Sequence, residues 1–292
     1  MTANQRGSLF MVAAMAGFAV EDMFIKSAAK AMPLGQVLAL MGALGILWFA
    51  LQSRRVGEPA FPAALRSRTM LVRSSFEMVG RLFYSLAIAL TPISVASAIL
   101  QATPLVVVAG AALIFGERVG LWRWALTALG FAGVLVILRP GLEGFDALAI
   151  LAVIGLLGFA GRDLATRAMP EDIGTFQLVT WAYIALIPAG LILMALGGDG
   201  PGAIDPTRSF DLVMALISGL FGYYAVTAAT RMGEAAVIAP FRYTRLVFAL
   251  ILAMLVLGER PGPAMLIGAA LIIGSGLYTF TRERMRARAA QS

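Results

Sequence analysis

A series of ten apolar stretches runs through the 292 residues of this chain and limits its fold more than any other feature. Each stretch approaches the length of about 20 apolar residues that a helix needs to cross a bilayer. In hydrocarbon, a backbone satisfies its own hydrogen bonds only as a helix or as a closed barrel. The sequence therefore predicts an all-α integral membrane protein with ten transmembrane helices. The predicted spans are 8–30, 34–51, 69–90, 93–115, 121–138, 145–167, 174–196, 210–232, 235–257 and 263–281.

The composition also indicates a chain that faces lipid. Hydrophobic residues make up 60% of it and charged residues 13%, whereas a soluble domain has about 45–50% and about 25%. Because the chain has no Cys and no His, disulfides, thiolate nucleophiles and imidazole bases are excluded, and we expect no catalytic residue, metal site or cofactor. An enzyme would need paired carboxylates, but the adjacent Glu21 and Asp22 point about 100° apart on a helix. The sequence also lacks the G-x-x-x-x-G-K loop of an ATP-driven pump.

The basic residues predict the orientation of the chain. If the N-terminus is cytoplasmic, fourteen Arg residues lie on the cytoplasmic side, and five Arg and Lys residues lie outside. Such an excess is typical of cytoplasmic loops, so both termini are expected in the cytoplasm. Basic residues in the cytoplasmic loops then account for most of the net charge of +7, and no nucleic acid is expected as a partner. The expected partners are the lipid bilayer and a small-molecule substrate, and the expected state is a monomer or a weak homodimer.

The chain contains an internal duplication. Four short matches connect its two halves at an offset of 141 or 142 residues: Gly17-Phe18-Ala19 with Gly158-Phe159-Ala160, Asp22 with Asp163, Gln36 with Gln177, and Gly116-Glu117-Arg118 with Gly258-Glu259-Arg260. Five spans in each copy place the second copy upside down in the membrane, and such inverted repeats are typical of secondary transporters. We predict a first five-helix repeat at 1–141 and an inverted second repeat at 142–292. The Gly-Glu-Arg segments are interpreted as structural corners at helix ends.

The segment from Ala102-Thr103-Pro104-Leu105 to Leu113-Ile114-Phe115-Gly116-Glu117-Arg118 resembles the signature that closes the fourth helix of the EamA family, within the drug/metabolite transporter superfamily. The second Gly-Glu-Arg fits the second repeat of that family. The resemblance implies a small-metabolite carrier of a bacterial inner membrane, often an exporter of amino acids, and points to the YddG-type amino-acid exporters. The second copy departs from the pattern, since Arg245 and Leu246 stand in the places of Thr103 and Pro104.

Charged residues within the spans predict where a cavity lies, because they are costly in lipid and usually face the bundle interior. On the third helix Arg73, Glu77, Arg81 and Tyr84 follow at steps of four, four and three, which places them on one face. Two interpretations of Glu77 stay open, a proton carrier or a member of a structural ion pair with either arginine.

The remaining polar positions complete the candidate site. The predicted substrate-binding residues are Gln101, Tyr84, Arg81, Tyr224, Tyr243, Arg242 and Arg245. The predicted coupling or gating residues are Glu77, Glu21, Asp22, Asp163 and Pro104. By inversion, Asp22 and Asp163 lie toward opposite leaflets, as alternating gates would. Pro104 should loosen the fourth helix, either as a gating bend or as a plain kink. Phe18 and Phe159 are interpreted as packing residues.

The near balance of positive and negative charge within the spans favours a zwitterionic substrate. We predict a secondary transporter that exports small neutral and aromatic amino acids by alternating access, with Arg242 or Arg245 meeting the substrate carboxylate. The alternative is a carrier for nucleotide sugars or other phosphorylated metabolites, which would require Arg81, Arg242 and Arg245 to converge without carboxylates. If transport is coupled to protons, Glu77 or Glu21 is the expected carrier.

Overall fold

The computed structural model describes residues 1–59, 61, 67–116, 120–139, 146–167, 174–198, 200, 202, 209–232 and 235–289. Within these ranges the secondary structure is helical, with no strand. A 3-10 segment, Ala239–Tyr243, connects α11 to α12. The helices are α1 (Ala3–Ala28), α2 (Leu34–Arg55), α3 (Arg68–Leu90), α4 (Ile93–Leu100), α5 (Thr103–Phe115), α6 (Leu121–Leu138), α7 (Ala149–Arg167), α8 (Thr175–Ile184), α9 (Leu186–Gly197), α10 (Ser209–Met232), α11 (Ala235–Ile238), α12 (Thr244–Leu255) and α13 (Pro263–Ala289).

Every predicted apolar stretch contains helix, and the all-α class is confirmed. In the described part of the chain, six segments are long and apolar enough to cross a membrane. They are Ala3–Ala28, Leu34–Arg55, Ile93–Phe115, Ala149–Thr166, Phe176–Gly197 and Ser209–Ala229. Helix α3 is not among them, since Arg73, Glu77 and Arg81 interrupt its apolar length. The full set of ten crossings and the inverted arrangement of the halves stay predictions, and the boundary at 141 lies outside the described residues.

The predicted span 93–115 is a broken helix in the structure. Helix α4 ends before Gln101, and the amide of Ala102 bonds the carbonyl of Ile99 at 3.0 Å, three residues back. Pro104 lies in the first turn of α5, where its missing N–H removes no helical hydrogen bond. Pro104 therefore lies at the start of a helix, whereas the sequence predicts one continuous helix through it.

The second half is broken at the corresponding place. The 3-10 segment contains Pro240 and ends at Tyr243, which is the duplication partner of Gln101. A further break at Ala185 separates α8 from α9 within the predicted span 174–196. Breaks in spanning helices are tolerated where neighbouring helices or side chains bond the freed backbone groups.

Two close helix pairs bring the two halves together. Helix α1 packs along α10, and α3 packs along α7. Glycines permit this approach: a Cβ atom on Gly17 would lie 3.3 Å from the Cα of Gly222, and one on Gly158 would lie 2.6 Å from the Cα of Gly80. Small residues at such contacts let helix backbones meet in a membrane. Helices α1 and α3 also contact each other, so α1, α3, α7 and α10 pack together in the interior of the bundle.

Two glutamine side chains form hydrogen bonds with the backbone of loops at the helix ends. The amide of Gln36 exchanges two hydrogen bonds with the backbone of Gly202, each 2.9 Å long. Its duplication partner Gln177 accepts from the amide of Gly174 and donates to the carbonyl of Pro59, both at 2.9 Å. Each glutamine therefore holds a loop that belongs to the other half of the chain.

The second Gly-Glu-Arg corner has a structural role. Gly258 has a φ of 67°, a left-handed conformation that favours glycine. The carboxylate of Glu259 accepts hydrogen bonds from the amides of Ile93 at 2.7 Å and Ser94 at 3.1 Å, and from the Ser94 hydroxyl at 2.8 Å. Glu259 therefore caps the N-terminus of α4. In the first corner Gly116 has a φ of 66°, while Glu117 and Arg118 lie outside the described residues.

Candidate functional site

Glu77 is fully buried on α3 and lies close to three arginines. Its carboxylate is 3.5 Å from Arg73 Nη2, 3.6 Å from Arg81 Nε and 3.3 Å from Arg162 Nη1. Tyr223 of α10 donates its hydroxyl to Glu77 Oε1 at 3.2 Å. We call these five residues the ladder group. Three guanidinium groups hold the negative charge of Glu77, which favours the structural interpretation of this residue.

Arg81 connects the ladder group to α1. Its Nη1 lies 3.4 Å from Glu21 Oε1, and its Nη2 donates a hydrogen bond to the Tyr223 hydroxyl. The guanidinium also lies 4.9 Å from the centre of the Tyr223 ring. Arg81 therefore has two carboxylates and one aromatic ring as neighbours, and it joins α1, α3 and α10.

Tyr223 is a candidate site residue that was not predicted from the sequence, which favoured its neighbour Tyr224. Tyr224 is 47% exposed and stacks on Phe176 at 6.4 Å, away from the ladder group. Gly219 and Gly222 precede Tyr223 by four and one residues, but this spacing alone does not show which face of α10 meets α1. Gly219 lies against Glu21 of α1, so the residue four positions later lies on the same helix face.

A second group forms around Asp22. Arg245 Nη2 lies 2.6 Å from Asp22 Oδ2, and the Tyr84 hydroxyl donates to the same oxygen at 3.0 Å. The hydroxyl oxygen of Ser97 lies 3.4 Å from that of Tyr84. The Arg245 guanidinium is 5.2 Å from the centre of the Phe18 ring and 5.4 Å from that of Tyr84. We call Asp22, Arg245, Tyr84 and Ser97 the Asp22 group; its side chains come from α1, α12, α3 and α4.

Asp163 does not join Asp22 but lies beside the ladder group. Its Oδ1 is 2.8 Å from Arg162 Nη2, and its Oδ2 is 4.0 Å from Arg242 Nη1. The Arg162 guanidinium lies 4.9 Å from the ring centre of Phe159. Phe159 and its duplication partner Phe18 are buried in hydrophobic clusters, as predicted, and each ring also faces an arginine.

The two helix breaks touch at Gln101. Its amide nitrogen donates to the backbone carbonyl of Arg242 at 3.1 Å. Tyr243 is buried, and its hydroxyl, which lies against Gly276, has no hydrogen-bond partner among the described residues. The breaks in α4/α5 and before α12 are therefore held against each other next to the charged groups.

The structure thus brings most predicted site residues into neighbouring groups, with Tyr224 apart. Each arginine of these groups has a carboxylate within 4.0 Å: Arg73, Arg81 and Arg162 face Glu77, Arg242 faces Asp163, and Arg245 faces Asp22. A separate cavity of about 860 Å³ opens at the start of α1, where Ser8 and Val12 face Pro240, Phe241 and Thr281.

Comparison with known proteins gives one family. The EamA-like transporter family matches residues 5–139 and again residues 147–281. A riboflavin transporter of Rhizobium johnstonii is 32% identical over 206 residues, which are 69% of this chain and 66% of that protein, slightly under two thirds of its length. An S-adenosylmethionine uptake transporter of Rickettsia bellii is 25% identical over 73% of this chain and 72% of its own.

Other comparisons extend over more of the chain. A pseudopaline exporter, CntI, of Pseudomonas aeruginosa is 26% identical over 91% of this chain and 93% of that protein. One solved crystal structure aligns with a TM-score of 0.57 and 20% identity, covering 96% of this chain and 98% of the other. That likeness concerns the fold alone.

Proposed function

This chain belongs to the EamA-like transporter family, and from that premise we propose that it is a secondary carrier for small zwitterionic metabolites. The substrates that fit best are neutral and aromatic amino acids, exported across a bacterial inner membrane by alternating access. Transport, with no reaction to catalyse, also agrees with a chain that contains no Cys and no His.

The observation that carries this proposal is the ion pair between Asp22 and Arg245. The two groups lie 2.6 Å apart, and their side chains are 4% and 16% exposed. A zwitterion can replace such a pair, since its carboxylate bonds the guanidinium and its ammonium bonds the aspartate. Both protein charges then stay compensated while the substrate leaves water, which removes the large cost of burying an unpaired charge.

The surroundings of this ion pair suit an aromatic side chain. The ring centres of Phe18 and Tyr84 lie 5.2 Å and 5.4 Å from the Arg245 guanidinium, and Phe159 lies 6.0 Å from Tyr84 in an edge-to-face contact. Offset and edge-to-face ring contacts contribute about 0.5–1.5 kcal/mol beyond their buried area. A substrate ring inserted here would gain such contacts.

The same geometry speaks against a phosphorylated substrate. That alternative requires Arg81, Arg242 and Arg245 to converge without carboxylates, but each of the three has a carboxylate within 4.0 Å. A phosphate group would therefore compete with existing ion pairs for every guanidinium.

Alternating access follows from the proposed inverted repeats, 1–141 and 142–292. The family matches two separate stretches of the chain, which supports a duplication. The helix breaks at Gln101 and Tyr243 are joined through the carbonyl of Arg242, so a movement of one half relative to the other changes this contact. With both termini cytoplasmic, Asp22 lies toward the outer leaflet and Asp163 toward the inner one.

A flavin is the second candidate substrate. The observation that favours it is the 32% identity to a protein named as a riboflavin transporter. A flavin ring system could stack on the same aromatic side chains, but a neutral ring system offers no charge to replace either member of the Asp22–Arg245 pair.

A counterflow assay tests these substrates. Purified protein in liposomes that contain unlabelled phenylalanine should accumulate labelled phenylalanine, but neither labelled riboflavin nor a labelled nucleotide sugar under matched conditions. Arg245→Met should lower the rate at least about tenfold, which corresponds to about 1.4 kcal/mol. Lys30→Met, which removes one exposed cation, should leave it unchanged. Exchange of riboflavin or of the nucleotide sugar without exchange of any amino acid would overturn the proposal.

The direction of transport needs a separate measurement. Cells that express the chain and are preloaded with labelled phenylalanine should lose the label faster than cells that express Arg245→Met. Equal loss from both would contradict export by this site.

A further inference from the structure

Glu21 and Tyr183 each have a buried oxygen without a hydrogen-bond partner among the described residues. Glu21 is 1% exposed; its Oε1 faces Arg81 at 3.4 Å, but its Oε2 has no hydrogen-bond partner among the residues that the structure describes. Tyr183 of α8 is fully buried, and its hydroxyl likewise has no partner within the described ranges. Buried polar groups are nearly always hydrogen-bonded, so these two oxygens require an explanation. Arg73 Nη1 and Arg81 Nε also lack a hydrogen bond among the described residues, but each of these guanidinium groups lies within 3.6 Å of a carboxylate oxygen.

The carboxylate of Glu21 and the hydroxyl of Tyr183 face one point on α10. A Cβ atom on Gly219 would lie 2.7 Å from Glu21 Oε1 and 3.1 Å from the Tyr183 hydroxyl oxygen. The Tyr183 ring is fixed by Phe49 and Tyr223, whose ring centres are each 5.6 Å away. The absence of a side chain at Gly219 therefore leaves space for both polar groups between α1, α8 and α10.

The other buried carboxylates differ from Glu21 in this respect. Glu77 has partners on both oxygens, namely arginines and Tyr223. Asp22 is paired with Arg245 and Tyr84. Among these three carboxylates, Glu21 is the one with a fully buried oxygen that has no hydrogen-bond partner in the described part of the chain.

The surroundings of Glu21 limit the chemistry of that ligand. On α1 itself the adjacent acid is Asp22. The charged or titratable groups that face Glu21 from the packed helices are Arg81 and Glu77 on α3, Tyr183 on α8, Tyr223 on α10 and Arg245 on α12. A metal cation would require about six oxygen ligands, whereas two unpartnered oxygens are present here, and the Arg81 guanidinium would repel it. A proton needs one acceptor oxygen and one hydrogen-bond partner.

We propose that Glu21 Oε2 binds the proton that drives transport, and that the Tyr183 hydroxyl is the hydrogen-bond partner of the protonated acid. This proposal rests on the proposed carrier function, and it assigns the coupling role to Glu21 and not to Glu77. One proton enters from water on one side of the membrane, forms the O–H bond on Oε2, and leaves to water on the other side.

Protonation of Glu21 also changes a contact between helices. The neutral acid no longer balances Arg81, which keeps Glu77 as its carboxylate partner at 3.6 Å. The attraction between α1 and α3 is then weaker, while the new O–H joins α1 to Tyr183 on α8. Since α1 and α3 belong to the first proposed repeat and α8 to the second, the proton shifts the contacts between the two halves.

Infrared spectroscopy tests the proton site without any substrate. The wild-type protein in lipid should show the carbonyl stretch of a buried protonated carboxylic acid, which disappears as the pH is raised. Glu21→Gln should remove this signal, Glu77→Gln should retain it, and Tyr183→Phe should shift its frequency because the hydrogen bond is lost. A signal that persists in Glu21→Gln would overturn the assignment.

Transport supplies the second test. In proteoliposomes with labelled phenylalanine, the ratio of rates with and without a pH gradient should exceed one for the wild type and fall to one for Glu21→Gln. Gly219→Ala places a methyl group against Glu21 Oε1 and the Tyr183 hydroxyl and should lower the same ratio. Gly274→Ala, with no atom within 4 Å of its added Cβ among the described residues, should leave the ratio unchanged.

The two proposals fail in different ways. If no labelled compound exchanges at all, the carrier proposal fails while the infrared signal still tests the proton site. If phenylalanine exchanges but the gradient ratio of the wild type is one, the carrier proposal stands and the proton site is refuted.

Discussion

Removal of Arg245 should destabilise the protein, because it leaves the buried carboxylate of Asp22 without its ion-pair partner. Arg245 is 16% exposed and lies 2.6 Å from Asp22, which is 4% exposed. Breaking a fully buried ion pair by removing one partner costs about 3–5 kcal/mol. Because Arg245 is partly exposed and Tyr84 still bonds Asp22 at 3.0 Å, we expect Arg245→Met to lower the free energy of unfolding by about 2–3 kcal/mol.

A double-mutant cycle separates the ion pair from other effects. Asp22→Asn keeps the shape of the side chain and the acceptor for Tyr84 but removes the charge that Arg245 faces. We expect this variant to lower the free energy of unfolding by about 1–2 kcal/mol. The double variant should be less destabilised than the sum of the two single variants, by about 1–2 kcal/mol, because residues in direct contact are not additive.

Unfolding in mixed micelles measures these differences. The four proteins of the cycle are titrated with a denaturing detergent, and tryptophan fluorescence reports the folded fraction. Arg54→Met serves as the matched control, since Arg54 is exposed near the end of α2, and it should change the stability by less than about 0.5 kcal/mol. Additive single variants, or an Arg245→Met variant no less stable than the control, would refute the reasoning.

Three further predictions use the same preparations. Gly158→Ala brings a Cβ within 2.6 Å of a Cα atom of α3 and should lower the free energy of unfolding by about 1–3 kcal/mol. Its control, Gly274→Ala, should raise the free energy of unfolding by up to about 1 kcal/mol. Both variants are measured by micelle unfolding. Glu259→Gln weakens the cap of α4 and should cost about 1 kcal/mol in that assay, most clearly at low salt. Tyr223→Phe removes the hydroxyl bonded by Arg81 and should slow phenylalanine counterflow about tenfold, equivalent to about 1.4 kcal/mol, while Tyr224→Phe should have no effect; equal rates for the two variants would contradict the role of Tyr223.

The hydropathy of the sequence was sufficient to predict where the helices lie, because the distance across a bilayer sets the length of each apolar stretch. It was not sufficient to predict where those helices are broken. Ala102 and Ala185 lie at breaks in apolar helices, although nothing in their hydropathy distinguishes them from their neighbours. Whether a helix continues at such a point depends on partners from other helices, such as the amide of Gln101 that bonds the carbonyl of Arg242.

The candidate site was predictable as a list of charged residues but not as a set of pairs. Burial is costly for any charge in a membrane, so Glu77 and Arg81 were identified from their positions alone. Their partners come from distant segments: Arg162 is 85 residues from Glu77, and Arg245 is 223 residues from Asp22. Without an arrangement of helices, the spacing along one helix could show only that Arg73 and Arg81 are within reach of Glu77.

The choice between Tyr223 and Tyr224 shows the same limit on a smaller scale. Position within a span distinguishes the depth of a residue but not the direction in which it points, and adjacent residues differ by about 100° around a helix. The direction became clear only where Gly219 approaches Glu21, since that contact fixes which face of α10 meets α1.

The adjacent acids Glu21 and Asp22 connect the two proposed sites through one turn of α1. Because they point about 100° apart, Glu21 faces Arg81 of α3 while Asp22 faces Arg245 of α12. A rigid helix moves both carboxylates together, so a shift of α1 that alters the proton site also changes the distance from Asp22 to Arg245. A coupled carrier needs such a common element, because coupling requires that one set of conformations be biased by both ligands. The Glu21-Asp22 pair, which is too splayed to act as an enzyme dyad, is therefore well arranged to join a proton to a zwitterionic substrate.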